Sequence, residues 1–322
     1  MVLDPETKDY LEKYAGKNQW QLLPVTEARE AHQKWQVATS VFSAEYEADR
    51  RSVQAVDSTV LGVAGGVPVR IYRPSRFASD DPLPIVIFFH GGGFVIGDLE
   101  THDELCRELS ARVDAMVIAV AYRLAPENRF PAAVEDCIAV TKWAIANAPA
   151  LGGDAVRISL AGDSAGGNLA AVVALHVSNM EVPRLAFLLL IYPVVDNTAA
   201  VEETPSALRF ATGYELSMDA LQWFQGQYFG DDELARRDIS ASPLLSDDFS
   251  GLPPTLIIVA ELDPLADSAV TFGRRLRDAG IEVRVSVYPG VMHAFVTMGS
   301  FFHAALDAMD ESVAALRDAF QQ

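Results

Sequence analysis

A serine sits between glycines at Gly162-Asp163-Ser164-Ala165-Gly166-Gly167, directly after the apolar run Val156 to Ala161 and before the small-residue stretch Asn168 to His176. The run reads as a buried strand and the stretch as a helix. A sharp strand-to-helix turn of this kind strains the serine backbone and lifts its hydroxyl clear of the sheet. Gly162 and Gly166 carry no Cβ to clash there. The hydroxyl then stands at the positive end of a helix, a geometry that serves attack on a carbonyl.

A hydroxyl is a weak nucleophile until a base takes its proton. His293, just past the strand-like Val283 to Tyr288, is the expected base. Asp263, just past Thr255 to Ala260, is the expected acid that holds the imidazole in the right tautomer. A glycine loop, His90-Gly91-Gly92-Gly93-Phe94, follows the apolar run Ile85 to Phe89. The order serine, aspartate, histidine, with an HGGG-type loop upstream, is that of the α/β-hydrolases. The other histidines compete poorly. His303 falls in the last predicted helix, and His32, His102 and His176 have no matching loop. His90 is expected to brace the glycine loop rather than move protons.

These residues need a sheet to position them. Ala55 to Leu61 and Val67 to Arg73 read as two strands joined by a turn containing Gly65-Gly66. Strands and helices then alternate. Ile85 to Phe89, Ala115 to Ala121, Val156 to Ala161, Leu185 to Ile191, Thr255 to Ala260 and Val283 to Tyr288 are short and rich in Val, Ile and Leu, as strands buried on both faces are. Between them Asp103 to Val113, Ala132 to Asn147 and Ala266 to Ala279 read as helices. The sum is an α/β fold, a doubly wound, eight-stranded and mostly parallel sheet whose first pair is antiparallel.

Two regions fall outside this rhythm. Residues 1–50 read as amphipathic helices: one begins at Asp4-Pro5, and a second runs from near Thr26 to about Ala48 with Ala31, Trp35, Ala38 and Phe42 at helical spacing. Residues 196–252 hold no predicted strand but carry Phe210, Tyr214, Trp223, Phe224, Tyr228 and Phe229. An insertion at the C-terminal edge of a parallel sheet sits where ligands bind. Residues 1–50 and 196–252 are therefore expected to form a helical cap over a catalytic domain of 51–195 and 253–322.

Of the 322 residues, half are hydrophobic, enough for one large core with an appendage. The formal charge of −19 argues against nucleic acid as a partner, because phosphate binding needs a basic surface, and favours a small neutral substrate. No apolar run approaches the length of a membrane span. Met1 to Glu6 shows no signal-peptide pattern, and Cys106 and Cys137 lie in separate predicted helices. Two buried thiols in a reducing, cytoplasmic compartment are expected rather than a disulfide. No metal or other cofactor is implied.

The chain resembles the hormone-sensitive-lipase family of carboxylesterases, the bacterial family IV branch of the α/β-hydrolase superfamily. The likeness rests on His90-Gly91-Gly92-Gly93-Phe94, Tyr122-Arg123-Leu124-Ala125-Pro126-Glu127, the elbow at Ser164, Ser242-Pro243-Leu244, Asp263-Pro264-Leu265 and His293-Ala294-Phe295. It implies an eight-stranded α/β-hydrolase with a cap, oxyanion donors at the N–H groups of Gly92, Gly93 and Ala165, short- to medium-chain acyl esters as substrates, and a monomer or homodimer. One departure is visible. The acid loop, Asp263-Pro264-Leu265-Ala266-Asp267-Ser268, lacks the Arg and Glu usual around its second Asp. Asp263 keeps its place as the triad acid, and Asp267 is the substitute.

Other features read more plainly. Arg123 and Glu127 are expected to form an internal ion pair. Asp163 steadies the elbow and points away from substrate. His102-Asp103-Glu104 reads as a solvated helix start rather than a metal site. Phe94 either lines the pocket or anchors its loop. The same machinery would serve an amidase, arylformamidase or lactonase, and a non-catalytic small-molecule binder is the alternative from another class.

Overall fold

The computed structural model describes residues 3–40, 46–75, 81–180 and 182–321. Eight strands form one sheet: β1 (Gln54–Gly62), β2 (Gly65–Arg73), β3 (Leu83–Phe89), β4 (Met116–Val120), β5 (Gly153–Asp163), β6 (Phe187–Ile191), β7 (Thr255–Leu262) and β8 (Val283–Met292). Their order is β1-β2-β4-β3-β5-β6-β7-β8. β2 runs antiparallel to both β1 and β4, and every later pairing is parallel. Every residue of β3, β4 and β6 is buried, which is why these strands show unbroken apolar runs rather than alternation. The turn between β1 and β2 is Val63-Ala64, so Gly65 and Gly66 open β2 instead of making the turn.

Eleven α-helices are described: α1 (Pro5–Tyr14), α2 (Val25–Thr39), α3 (Glu47–Ser52), α4 (Asp103–Val113), α5 (Ala132–Asn147), α6 (Ala165–Ser178), α7 (Pro205–Arg209), α8 (Met218–Phe229), α9 (Glu233–Arg236), α10 (Ala266–Asp278) and α11 (His303–Phe320). α1 starts as its residues dictate: Asp4 Oδ1 accepts the Glu6 N–H at 2.9 Å, and Pro5 fills the first turn. α2 is shorter than the periodicity predicts. It ends at Thr39, whose carbonyl accepts the N–H of Ser300 at 3.3 Å and its hydroxyl at 2.8 Å, from the loop before α11. Phe42 lies outside the described residues.

Two apolar clusters fill the faces of the sheet. One packs α5, α6 and α10 against residues such as Ile85, Ile87 and Leu160. The other packs α4 and α11 against Val86, Phe88 and Ile258. Arg29 ties α2 down to the sheet end. Its guanidinium donates to Val95 O and Ala125 O, each at 2.8 Å, and pairs with Glu127 at 2.7 Å. Between β6 and β7 no strand occurs among the described residues; α7, α8 and α9 fill that interval. Cys106 and Cys137 are free and buried.

Candidate active site

Four loops meet at the C-terminal ends of β3, β5, β7 and β8, where parallel sheets place their ligands. Ser164 follows β5 directly, with φ 54° and ψ −116°. That backbone region is costly for any residue with a Cβ. Its N–H donates to Ile191 O at 2.8 Å, and its carbonyl accepts from Val194 N at 3.1 Å. A Cβ on Gly166 would run into the Phe89 carbonyl, so α6 can start this close to β3 only with glycine there.

Ser164 Oγ lies 2.9 Å from His293 Nε2. His293 Nδ1 lies 2.6 Å from Asp263 Oδ2. Both partners are buried, and Asp263 Oδ1 also accepts the Leu265 N–H at 2.9 Å, which fixes the carboxylate. The Tyr192 ring packs on the imidazole with centroids 4.7 Å apart. An imidazole held this way can take the hydroxyl proton through one nitrogen while the carboxylate holds the other N–H. Asp267 faces elsewhere. Its carboxylate accepts the Ser206 N–H at 2.7 Å in the first turn of α7.

The glycine loop after β3 turns back on itself through Gly92 (φ 112°) and Gly93 (φ 59°). The N–H groups of Gly92 and Gly93 donate to no protein acceptor among the described residues. Ala165, the first residue of α6, has an N–H with no intrahelical acceptor. The loop is braced from behind. Tyr122 stacks on His90 at 4.3 Å and donates its hydroxyl to His90 O at 2.7 Å. His90 Nδ1 in turn donates to Gly91 O at 2.7 Å. Burial lowers the His90 pKa to about 4, so the ring braces the loop in its neutral form.

Asp163 does more than steady the elbow. Its Oδ1 accepts the Gly91 N–H at 2.8 Å and lies 3.0 Å from His102 Nε2. Burial works to raise the pKa of this carboxyl, but His102, His90 and the Gly91 N–H outweigh it and hold it below the ordinary range. His102 is therefore not a solvated helix start. It is buried at the head of α4, between the rings of Phe88 and His90.

The expected Arg123–Glu127 pair does not form. Arg123 binds Asp136 and Glu135 on α5, whereas Glu127 binds Arg29. The four-residue spacing suits a helix, and this segment is not one. Phe94 satisfies both of its readings: it stacks on Tyr228 with centroids 4.0 Å apart and lines the cavity above Ser164.

That cavity has a volume of about 100 Å³. Ser164 and His293 lie at its floor, and both irregular regions wall it: Trp20 and Trp35 from the N-terminal segment, Leu216, Leu221 and Phe224 from the interval before β7. Asn18 and Glu215 break the apolar wall. Neither was legible as a site residue. They are remote in sequence, and no spacing signals that the fold brings them together.

The model of a family described as having an alpha/beta hydrolase fold matches residues 86–297, a span that holds the glycine loop, the elbow, Asp263 and His293. The chain belongs to the α/β-hydrolase family. Ethyl acetate hydrolase of Pseudomonas putida is 37% identical to this α/β-hydrolase over 331 residues, covering 100% of this chain and 99% of the relative. Carboxylesterase NlhH of Mycobacterium tuberculosis is 38% identical over 268 residues, 82% of each chain. Among solved structures, the hyperthermophilic esterase from Pyrobaculum calidifontis superimposes with a TM-score of 0.87 at 35% identity, over 99% of both chains. An α/β-hydrolase enzyme from the metagenome of Lake Arreo, Spain, does so at 0.90 with 36% identity, again over 99% of both. The hormone-sensitive-lipase-like resemblance holds, and this α/β-hydrolase is a serine ester hydrolase. No helix among its described residues is long and apolar enough to cross a membrane.

Proposed function

We propose that the chain hydrolyses short- to medium-chain carboxylic esters through an acyl-enzyme on Ser164, with His293 as base and Asp263 as its orienting acid. The observation that carries this is the hydrogen-bonded run from Ser164 Oγ through His293 to Asp263, at 2.9 and 2.6 Å. Ser164 attacks the ester carbonyl as His293 Nε2 takes its proton. Asp263 stabilises the imidazolium that results. The tetrahedral oxyanion is met by the N–H groups of Gly92, Gly93 and Ala165, whose lack of protein acceptors supports the assignment. One such donor typically lowers the barrier by about 3 kcal/mol. The imidazolium then gives its proton to the leaving alcohol. Water, activated by the same imidazole, releases the acid.

Residues 1–50 and 196–252 act as the cap that closes this site, since both wall the cavity with aromatic and aliphatic groups. The small cavity favours short acyl groups over triglyceride chains. We place the enzyme in the cytoplasm, acting on small esters as a monomer or homodimer; the two buried free thiols fit a reducing compartment.

A series of p-nitrophenyl esters from acetate to palmitate tests the reading. Turnover should peak at short to medium chains and vanish in Ser164→Ala. Undiminished turnover in that variant overturns the mechanism, and faster cleavage of matched amides overturns the ester assignment.

A further inference from the structure

Glu215 is a carboxylate in the wall of the cavity that holds Ser164 and His293. It comes from the segment before α8, and its partners come from the other end of the chain. Tyr10 donates its hydroxyl to Glu215 Oε2 at 2.6 Å, and Asn18 Nδ2 donates to Oε1 at 3.1 Å. Asn18 also donates to the Tyr10 hydroxyl at 3.1 Å. These two side chains fix the carboxylate. A carboxylate has about four acceptor positions, and these bonds leave some of them for a ligand.

The partners are neutral, and among the described residues no lysine or arginine lines the cavity. Asp163, the other acidic wall residue, accepts the Gly91 N–H and lies beside His102, whereas Glu215 forms no ion pair with a lysine or arginine among the described residues, and His293 is the titratable cation that acts on it. A partly buried charge without a full opposite charge beside it is costly. Burial pushes the Glu215 carboxyl up, against the hydrogen bonds from Tyr10 and Asn18 and the influence of His293. A cationic ligand would remove that penalty. The rest of the wall suits one. Trp20 and Trp35 present aromatic surface to which an alkylammonium is attracted. His32, also in the wall, has a buried Nδ1 with no partner among the described residues. Glu215 and His293 share this cavity, and in the mechanism above His293 is the group that protonates the leaving alcohol.

We propose that Glu215, seated by Tyr10 and Asn18, is a specificity-determining residue that selects esters whose alcohol part carries an ammonium group. The assignment rests on the ester-hydrolase reading of Ser164 and names its substrate class: esters of small amino alcohols. The carboxylate of Glu215 accepts the ammonium N–H, the indoles contact its alkyl groups, and the ester carbonyl lies over Ser164.

Two acetate esters of matched shape test this: 3-(dimethylamino)propyl acetate, protonated at pH 7, and its carbon isostere 4-methylpentyl acetate. The wild-type enzyme should favour the ammonium ester in kcat/KM by about tenfold, the size of one charge-assisted hydrogen bond, chiefly through a lower KM. In Glu215→Gln, which keeps the shape and removes the charge, the ratio should fall to about one or below. If that variant does not fold, competitive inhibition of the wild-type enzyme decides. 3-(Dimethylamino)propan-1-ol should inhibit p-nitrophenyl butyrate turnover about tenfold more tightly than 4-methylpentan-1-ol. Equal kcat/KM for the two esters in the wild-type enzyme, or a ratio unmoved in Glu215→Gln, overturns the subsite and leaves ester hydrolysis standing. Turnover of neither ester, with no labelling of Ser164 by a fluorophosphonate, overturns the ester-hydrolase reading and the subsite with it.

Discussion

Asp163 Oδ1 accepts the N–H of Gly91 at 2.8 Å, so the residue beside the serine holds the loop that precedes the two candidate oxyanion glycines. The bond spans two strand ends, β5 and β3, and it couples the position of the proposed nucleophile to that of the proposed glycine donors. Its second partner, His102, arrives from the head of α4.

Removing this brace should lower kcat without weakening substrate binding. Asp163→Ala leaves the Gly91 N–H unpaired and frees the loop, so kcat should fall about ten- to a hundredfold, somewhat less than the loss of one oxyanion donor. KM should change little. Asp163→Asn keeps an acceptor for Gly91 and should recover most of the rate. Steady-state kinetics on p-nitrophenyl butyrate would show the split; equal losses in both variants would assign Asp163 to charge rather than to loop position.

Asp263→Asn tests the proposed acid of the triad. The amide retains the size of the carboxylate, but it can present an N–H to His293 Nδ1 and so stabilise the wrong tautomer. A loss in kcat of about ten-thousandfold is expected, as for this exchange in other serine hydrolases. Asp267→Asn should cost far less, because Asp267 holds the start of α7 through Ser206. Parallel kinetics on the two variants would separate the roles, and a larger loss at Asp267 would reverse them.

The parts of the site that chemistry ties to strand ends were legible in the sequence. Asp263 follows an apolar run, and Ser164 and His293 follow strands in which valine, isoleucine and leucine alternate with polar residues; both patterns can be recognised without knowing their neighbours. The sheet was legible for the same reason. What escaped was set by tertiary contact. α2 stops at Thr39 because Ser300 takes its carbonyl, and nothing near Thr39 announces Ser300. Arg123 and Glu127 have helical spacing on a segment that is not helical, so each finds a partner elsewhere. His102 looked solvated because a helix start usually is, yet the glycine loop and Phe88 bury it. Glu215 meets Tyr10 and Asn18 only after the N-terminal segment and the interval between β6 and β7 have folded together.

Stability has its own centre away from the site. Glu108 on α4 is fully buried between two guanidinium groups, Arg50 Nη1 at 2.8 Å and Arg112 Nη1 at 3.0 Å. Arg50 also binds Glu104, and Arg112 binds Asp310 on α11. Glu108→Ala removes the carboxylate that both share and leaves Arg50 with Glu104 and Arg112 with Asp310; breaking such a buried pair typically costs about 3–5 kcal/mol, and the remaining pairs hold the loss near the lower end. The exposed Lys8–Glu12 pair on α1 offers the contrast: Glu12→Ala should cost less than about 1 kcal/mol. Urea unfolding of both variants would measure the difference. A Glu108 variant as stable as wild type would show that the network contributes nothing net.

Acid should destabilise the fold before it protonates the carboxylates, through His90. Its folded pKa is lowered to about 4 by burial, with the charge of His102 adding to the effect. The unfolded chain takes up the proton near pH 6.5, whereas the folded chain declines it until about pH 4. Unfolding therefore binds a proton throughout that window, and stability falls as pH drops from about 6.5 to about 4. His90 alone accounts for a loss on the order of 3 kcal/mol across it. His32, lowered to about 4 chiefly by burial, acts in the same direction. Asp163 extends the loss further down, since a carboxyl held below its ordinary range gives up its contribution as pH falls through the folded value. Urea unfolding at pH 7 and pH 4.5 should show the decline in the wild-type protein. His90→Asn keeps a donor for Gly91 O without a titrating ring, so its stability should change less between the two pH values. A variant with the same slope as wild type would remove His90 from the explanation.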